Sequence, residues 1–320
     1  MYKGMPVIAL EEHYFDKELA ANPGFGAPPP IAKLLYDLEG ERIEAMDRAG
    51  IDVQVLSHNA PSGQGVGADG GDLIRRVNDR LAEVCAKHPK RFYGFAALAT
   101  ADPDGAAREL ERCVKDLGFV GAMLHGPTGT QFPDDKSCWG IFERAQALDV
   151  PIYIHPSFPM KAVVDAYYAD YAKAFPSILN AGWGFTVETA TAVIRLILSG
   201  MFAKYPKTKI IVGHFGEGLP FLLWRIDQAL SRPGQEGIKF RDVFCNNFWL
   251  TCSGNFSTPA LLCCMQELGM DRLMFSLDYP YVTNEDGMDW VKTLQINEAD
   301  LRKFMYGNAA QLLKLPVTGA

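Results

Sequence analysis

The chain has seven cysteines but no Cys-x-x-Cys pair, and the closest two are the adjacent Cys263 and Cys264. An odd, scattered set does not make a disulfide framework; it fits packed free thiols in a reducing compartment. No apolar run reaches the length of a membrane span. Residues 1–6 lead straight into a strand pattern, without the apolar core of a signal peptide. We therefore expect a cytoplasmic protein. Basic residues are in deficit, 31 Lys and Arg against 38 Asp and Glu, for a net charge of −7. That disfavours nucleic acid and anionic membranes as partners, since both select a basic surface. No Gly-x-Gly-x-x-Gly or P-loop follows any strand candidate, which argues against a nucleotide site. No internal repeat, low-complexity tract or Gly/Ser linker divides the 320 residues, and we expect one domain over residues 1–320.

Eight segments rich in Val, Ile, Phe and Leu read as strands: 6–12, 52–57, 92–98, 119–124, 151–155, 209–213, 248–252 and 273–277. They lack a strict period of two, as expected for parallel strands covered on both faces. Amphipathic helical patterns lie between them, over 40–49, 73–87, 103–117, 260–268 and 298–313. The third of these opens on Asp102-Pro103-Asp104, a helix-start signal, and ends before Gly118. Repeated strand-helix alternation predicts an α/β fold, a (β/α)8 barrel, over the runner-up, an open doubly wound sheet. Two connections are long, 14–37 and 156–187. Both leave strand C-termini, so both belong to the face where such barrels keep their chemistry.

Histidine is also scarce, with six in all. Five of them, His13, His58, His125, His155 and His214, close apolar strand-like runs; only His88 lies in a helical segment. In a barrel, those five rings would converge on one face. The first strand ends Leu10-Glu11-Glu12-His13. Residues two apart in a strand share a side, so Glu11 and His13 face together with Glu12 opposite. His155 ends the fifth strand and Asp278 follows the eighth. Glu11, His13, His155 and Asp278 form an N2O2 donor set suited to Zn, Mn or a similar ion, with water positions left open. After the sixth strand, Gly213-His214-Phe215-Gly216-Glu217-Gly218 reads as a tight turn pairing His214 with Glu217. Arg225 follows, placed either to bind a substrate anion or to pair with Asp227.

Four of these segments, Glu11-Glu12-His13, Tyr153-Ile154-His155-Pro156, residues 213–220 and Phe275-Ser276-Leu277-Asp278-Tyr279-Pro280, resemble the amidohydrolase superfamily. More narrowly they resemble its non-oxidative aromatic acid decarboxylases, of the γ-resorcylate and 2,3-dihydroxybenzoate decarboxylase type. Asn59-Ala60-Pro61, residues 118–122 and residues 251–255 extend the resemblance over nearly the whole chain. It implies a distorted (β/α)8 barrel with one divalent metal ion per chain, Zn, Mn or Mg, with Zn or Mn favoured, held by Glu11, His13, His155 and Asp278. It implies His214 and Glu217 as an active-site dyad, Phe25 as a pocket aromatic, Arg225 near the substrate, and a dimer or tetramer. The substrate class implied is a small aromatic carboxylate.

The chain departs from that pattern in two places. His125 stands where such decarboxylases usually have Asn, and Ser57-His58-Asn59 replaces Ser-Leu-Asn. Two additional imidazoles, His58 and His125, are therefore expected at the substrate pocket. The expected reaction is ring protonation by Asp278 followed by CO2 loss, reversible toward phenol carboxylation. The rival is a mononuclear metal hydrolase or hydratase of lactonase type, in which Asp278 would deprotonate a metal-activated water. Binuclear members of the superfamily show His-x-His on the first strand and a Lys on the fourth; this chain has Glu11-x-His13 and no Lys in 119–125.

Overall fold

In the computed structural model, residues 1–22, 25–26, 29–232, 234 and 237–316 are described. Pro23, Gly24 and Pro28 of the first long connection lie outside them. The strands are β1 (Ile8–Tyr14), β2 (Val53–His58), β3 (Phe92–Gly94), β4 (Ala122–His125), β5 (Pro151–His155), β6 (Lys209–Val212), β7 (Phe248–Thr251) and β8 (Leu273–Met274). Every ladder is parallel, in the orders β1-β2-β3 and β4-β5-β6-β7-β8. A parallel bridge between Ala96 and Ala122 joins the two groups. At the other seam, β1 meets the chain after β8 through single bonds instead of a ladder. The Glu11 N–H donates to Ser276 Oγ at 2.8 Å and the His13 N–H to the Tyr279 carbonyl at 2.7 Å. The architecture is the expected distorted (β/α)8 barrel.

Local differences from the sequence reading have physical causes. β1 runs two residues further, to Tyr14, and carries a bulge between Ala9 and Glu12 where its register on β2 shifts. The expected strand 273–277 pairs only over Leu273–Met274. Beyond it the backbone donors go elsewhere: Phe275 to the Phe304 carbonyl, Ser276 to Cys252 Sγ and Leu277 to Glu12 Oε1. β3 likewise stops at Gly94, short of residue 98.

The helical patterns appear as Glu41–Ala49, Gly71–Lys87, Pro103–Lys115 and Thr258–Leu268. Asp102 and Ser257 cap the last two, accepting from the N–H groups of Gly105 and Ala260. The expected helix 298–313 is interrupted by a π turn at Lys303–Gly307. Helices Trp139–Leu148, Gly184–Leu198, Leu219–Leu230, Phe240–Asn247 and Asn284–Thr293 complete the outer layer. Both long connections fold locally, with Lys17–Ala20 and Ala32–Tyr36 in the first and Lys161–Val163, Ala169–Ala172 and Pro176–Leu179 in the second. One contiguous apolar core fills the barrel and the strand-helix interface. No helix among the described residues is long and apolar enough to cross a membrane.

Candidate metal centre and active site

β1 and β5 end at the same rim, and the turn after β8 folds over it. Glu11, His13, His155 and Asp278 each bring one donor atom there, all within 4.8 Å of one another. His155 Nε2 lies 3.2 Å from Glu11 Oε1, and His13 Nε2 lies 3.2 Å from Asp278 Oδ1. Glu11 Oε1 and His13 Nε2 are fully buried yet have no hydrogen-bond partner among the described residues. A buried carboxylate oxygen and a buried ring nitrogen are costly to leave unpaired. Both point into one cluster, as a cation there requires.

The opposite side of three of the four, Glu11, His155 and His13, is tied to protein. Glu11 Oε2 accepts from Ser253 Oγ at 2.6 Å and from the Tyr153 hydroxyl, which also meets Thr251 Oγ1 at 2.6 Å. His155 Nδ1 lies 2.7 Å from the Pro156 carbonyl, which can only accept, so Nδ1 carries the proton and Nε2 presents its lone pair. His13 Nδ1 faces Ser57 Oγ at 3.3 Å, and its Nε2 faces the cluster. Burial lowers the His13 ring to about 4, so it stays neutral. Burial would raise Glu11, but His214, His155 and His13 outweigh it and hold the carboxyl below its usual range. A neutral His13 and an ionised Glu11 are in the protonation states that a divalent ion needs.

His214 stands beside this set, its Nε2 3.8 Å from Glu11 Oε1 and its Nδ1 2.8 Å from Glu217 Oε1. Burial lowers the ring, yet Glu217 and Glu11 together raise it to about 10, so it is an imidazolium at neutral pH. Asp278 moves the other way. Burial and the Glu11 carboxylate push it up to about 8 in the metal-free site, against the pull of His214. Both residues adopt left-handed backbone, with φ of 50° and 69°. Such strain concentrates at functional sites. Their side chains keep 25% and 19% exposure, while those of Glu11 and His13 have none, so the site opens to solvent over His214 and Asp278.

The remaining expected residues divide. His125 joins the cluster's margin: its Nδ1 is 2.9 Å from His155 Nδ1, and its Nε2 is buried without a partner. His58 is engaged on both nitrogens, accepting from the Asp16 N–H at 3.0 Å and donating to the Asn59 carbonyl at 2.8 Å. It is 2% exposed and packs edge-on to Tyr14 and Phe15, so it braces the chain after β1 and leaves no nitrogen for a substrate. Phe25 packs on a satellite cluster of Leu19, Ile74, Val77, Ala97 and Ala99, with its ring against Gly65. Arg225 is exposed and forms no hydrogen bond or ion pair among the described residues. Asp227, its alternative partner, instead accepts the Arg241 N–H.

Sequence reasoning assigned no role to the hydroxyls of Tyr153, Thr251 and Ser253. One signal was present: Tyr153 is two residues before His155 on β5 and so shares its side. Nothing local in the sequence points the two β7-end hydroxyls at Glu11.

The amidohydrolase family model matches residues 28–315. A γ-resorcylate decarboxylase of Polaromonas sp. is 42% identical over 328 residues, covering 96% of this chain and 98% of that protein. A crystal structure of a dihydroxybenzoic acid decarboxylase from Polaromonas sp. JS666, with bound manganese and the inhibitor 2-nitroresorcinol, superposes with a TM-score of 0.90 at 41% identity, covering 98% of each chain. A 2,6-dihydroxybenzoate decarboxylase in complex with 2,6-dihydroxybenzoate gives 0.88 at 38% identity, covering 97% of this chain and all of that one. The chain thus belongs to the amidohydrolase family, among its metal-dependent aromatic acid decarboxylases.

Proposed function

We propose that the substrate is a benzoate with a hydroxyl ortho to the carboxylate, of the 2,6-dihydroxybenzoate kind, and that it loses CO2 to leave the corresponding phenol. The convergence of Glu11, His13, His155 and Asp278 donors within 4.8 Å carries this reading, with the charged His214 beside them. These four residues would hold the ion. Manganese is bound in the Polaromonas crystal structure, and an N2O2 donor set suits it. When bound, it supplies a Lewis acid that favours the ionised ortho-hydroxyl and fixes the ring.

The protein's own groups supply the rest. The His214 imidazolium, held by Glu217, binds the phenolate oxygen and offsets its charge. The phenolate raises electron density at the carboxylate-bearing carbon. Asp278, whose protonated form is favoured by burial and the Glu11 carboxylate, gives a carboxyl proton to that carbon. The carbon–carboxylate bond then breaks, its electron pair returns to the ring, and CO2 leaves. Asp278, now ionised, is reloaded by the next substrate or by water. The full burial of Glu11 and His13 excludes bulk water from this side of the ring.

Two further readings belong here. Exposed aromatic residues on 156–187 and on the helix Leu219–Leu230 support a homo-oligomer, a dimer or tetramer, with the whole of 1–320 as its single-domain subunit. All seven cysteines are free, which supports a reducing, cytoplasmic location.

The test is product analysis with manganese-loaded protein on salicylate, 2,3-dihydroxybenzoate and 2,6-dihydroxybenzoate. Resorcinol from the last, abolished by Asp278→Asn, is the expected result. No phenol from any of the three acids, with one metal per chain confirmed, overturns the substrate assignment.

A further inference from the structure

Glu12 sits between two proposed ligands, and the reaction has no use for it. It is fully buried and stands outside the donor cluster, bonding instead to Gln54 and to the backbone after β8. Its Oε1 accepts the Leu277 N–H at 3.0 Å and its Oε2 accepts the Tyr279 N–H at 3.3 Å. Those are the residues on either side of Asp278. One carboxylate therefore grips the backbone before and after a residue that is itself left-handed, at φ 69°. The same seam lacks a β8–β1 ladder, so Glu12 receives two N–H groups that would otherwise have no acceptor on β1.

The other side of Glu12 is anchored as well. Gln54 Nε2 donates to Glu12 Oε2 at 3.3 Å, and Arg42 Nη1 donates to Gln54 Oε1 at 3.1 Å. Arg42 Nη2 donates to the His13 carbonyl, and its guanidinium lies 4.7 Å from the Tyr279 ring centroid. Arg42 is as fully buried as Glu12. The pair thus joins the strand bearing Glu11 and His13 to the turn bearing Asp278.

We infer that Glu12, braced by Gln54 and Arg42, is a positioning residue that sets the Asp278 carboxylate against the metal site, a role that rests on Asp278 being a ligand, as proposed above. Glu12 touches neither the substrate space nor the donor cluster. It acts by fixing where the backbone of Asp278 runs. A ligand whose support is loosened loses affinity, by about 10–100-fold for comparable outer contacts.

The experiment is a manganese titration of metal-free protein followed by electron paramagnetic resonance, on wild type, Glu12→Gln, Asp278→Asn and the double variant. Gln keeps the acceptor for Leu277 and replaces the acceptor for Tyr279 with a donor. Glu12→Gln is expected to weaken manganese binding about tenfold or more. The double variant is expected to bind no more weakly than Asp278→Asn alone, because Glu12 has no effect left once its ligand is gone. Additive losses, or an unchanged affinity in Glu12→Gln while Asp278→Asn binds weakly, overturn the inference. An unchanged affinity in Asp278→Asn instead overturns the ligand set and with it this role for Glu12. Circular dichroism checks folding. If Glu12→Gln does not fold, Gln54→Met removes the donor to Glu12 Oε2 together with the acceptor for Arg42, and carries the same cycle with a smaller expected loss.

Discussion

The two oxygens of Glu11 have different surroundings, and that difference defines the site. Oε2 is fixed by Ser253 and Tyr153, while Oε1 faces His155 and His214 and has no hydrogen-bond partner among the described residues. Charge near Glu11 is then shared out by environment: burial keeps His13 neutral, while Glu217 and Glu11 keep His214 charged. The His214 ring in metal-free protein is therefore expected to titrate near pH 10, far above the 6.5 of a free imidazole. Its raised folded value means that it stabilises the native state fully below about pH 6.5. That contribution declines as pH rises and is gone above about pH 10. Ring proton shifts followed by NMR across pH 5–11 would show this. A His214 midpoint near 6.5 would sink the charged-dyad reading.

Among the elements, the turn after β6 is built from a run of left-handed residues. His214, Phe215, Gly216, Glu217 and Gly218 are all left-handed, three of them with side chains. A non-glycine residue there costs about 1–2 kcal/mol. The His214–Glu217 bond, the buried Phe215 ring and the bond from the Gly216 N–H to the Gly213 carbonyl offset that cost. Gly213 before the turn is a different case. Its φ of −73° suits any residue, but an added Cβ would fall 2.5 Å from Glu11 Oε2. Gly213→Ala should therefore spare the backbone and displace the ligand. Manganese affinity is expected to fall about tenfold or more with an unchanged circular dichroism spectrum, and calorimetric titration would measure it. Unchanged affinity would mean that Glu11 has room to move.

At the scale of the whole molecule, the barrel buries its chemistry and leaves a set of aromatic side chains outside. Phe221 and Trp224 on the helix Leu219–Leu230 are 83% and 69% exposed, and Tyr167, Tyr171 and Phe175 line the second long connection. Phe221 and Trp224 lie three residues apart and so share one helix face, and exposed apolar faces of this kind mark association sites. Light scattering is expected to give a multiple of the 35.3 kDa chain mass, and Phe221→Glu with Trp224→Glu is expected to reduce it. A wild-type protein that stays at 35.3 kDa at micromolar concentration would count against the oligomer.

Much of this was legible in the residues themselves. Strand-helix alternation specified the barrel, because each parallel strand needs a helix to return the chain. Two-residue periodicity put Glu11 and His13 on one side, and the rule that barrel strands end on one face placed His155 and Asp278 near them. Periodicity could not separate His58 from His125, because both close a strand at the same rim. Only the packed structure shows His58 taken up by Asp16 and Asn59 while His125 leans on His155. The length of β8, the hydroxyl cage on Glu11 and the grip of Glu12 on residues 277 and 279 were equally out of reach. Local sequence determines which way a strand presents its side chains. Contacts between residues more than two hundred positions apart, such as Glu12 with Leu277, exist only once the barrel has closed, and those contacts decide where each ligand is held.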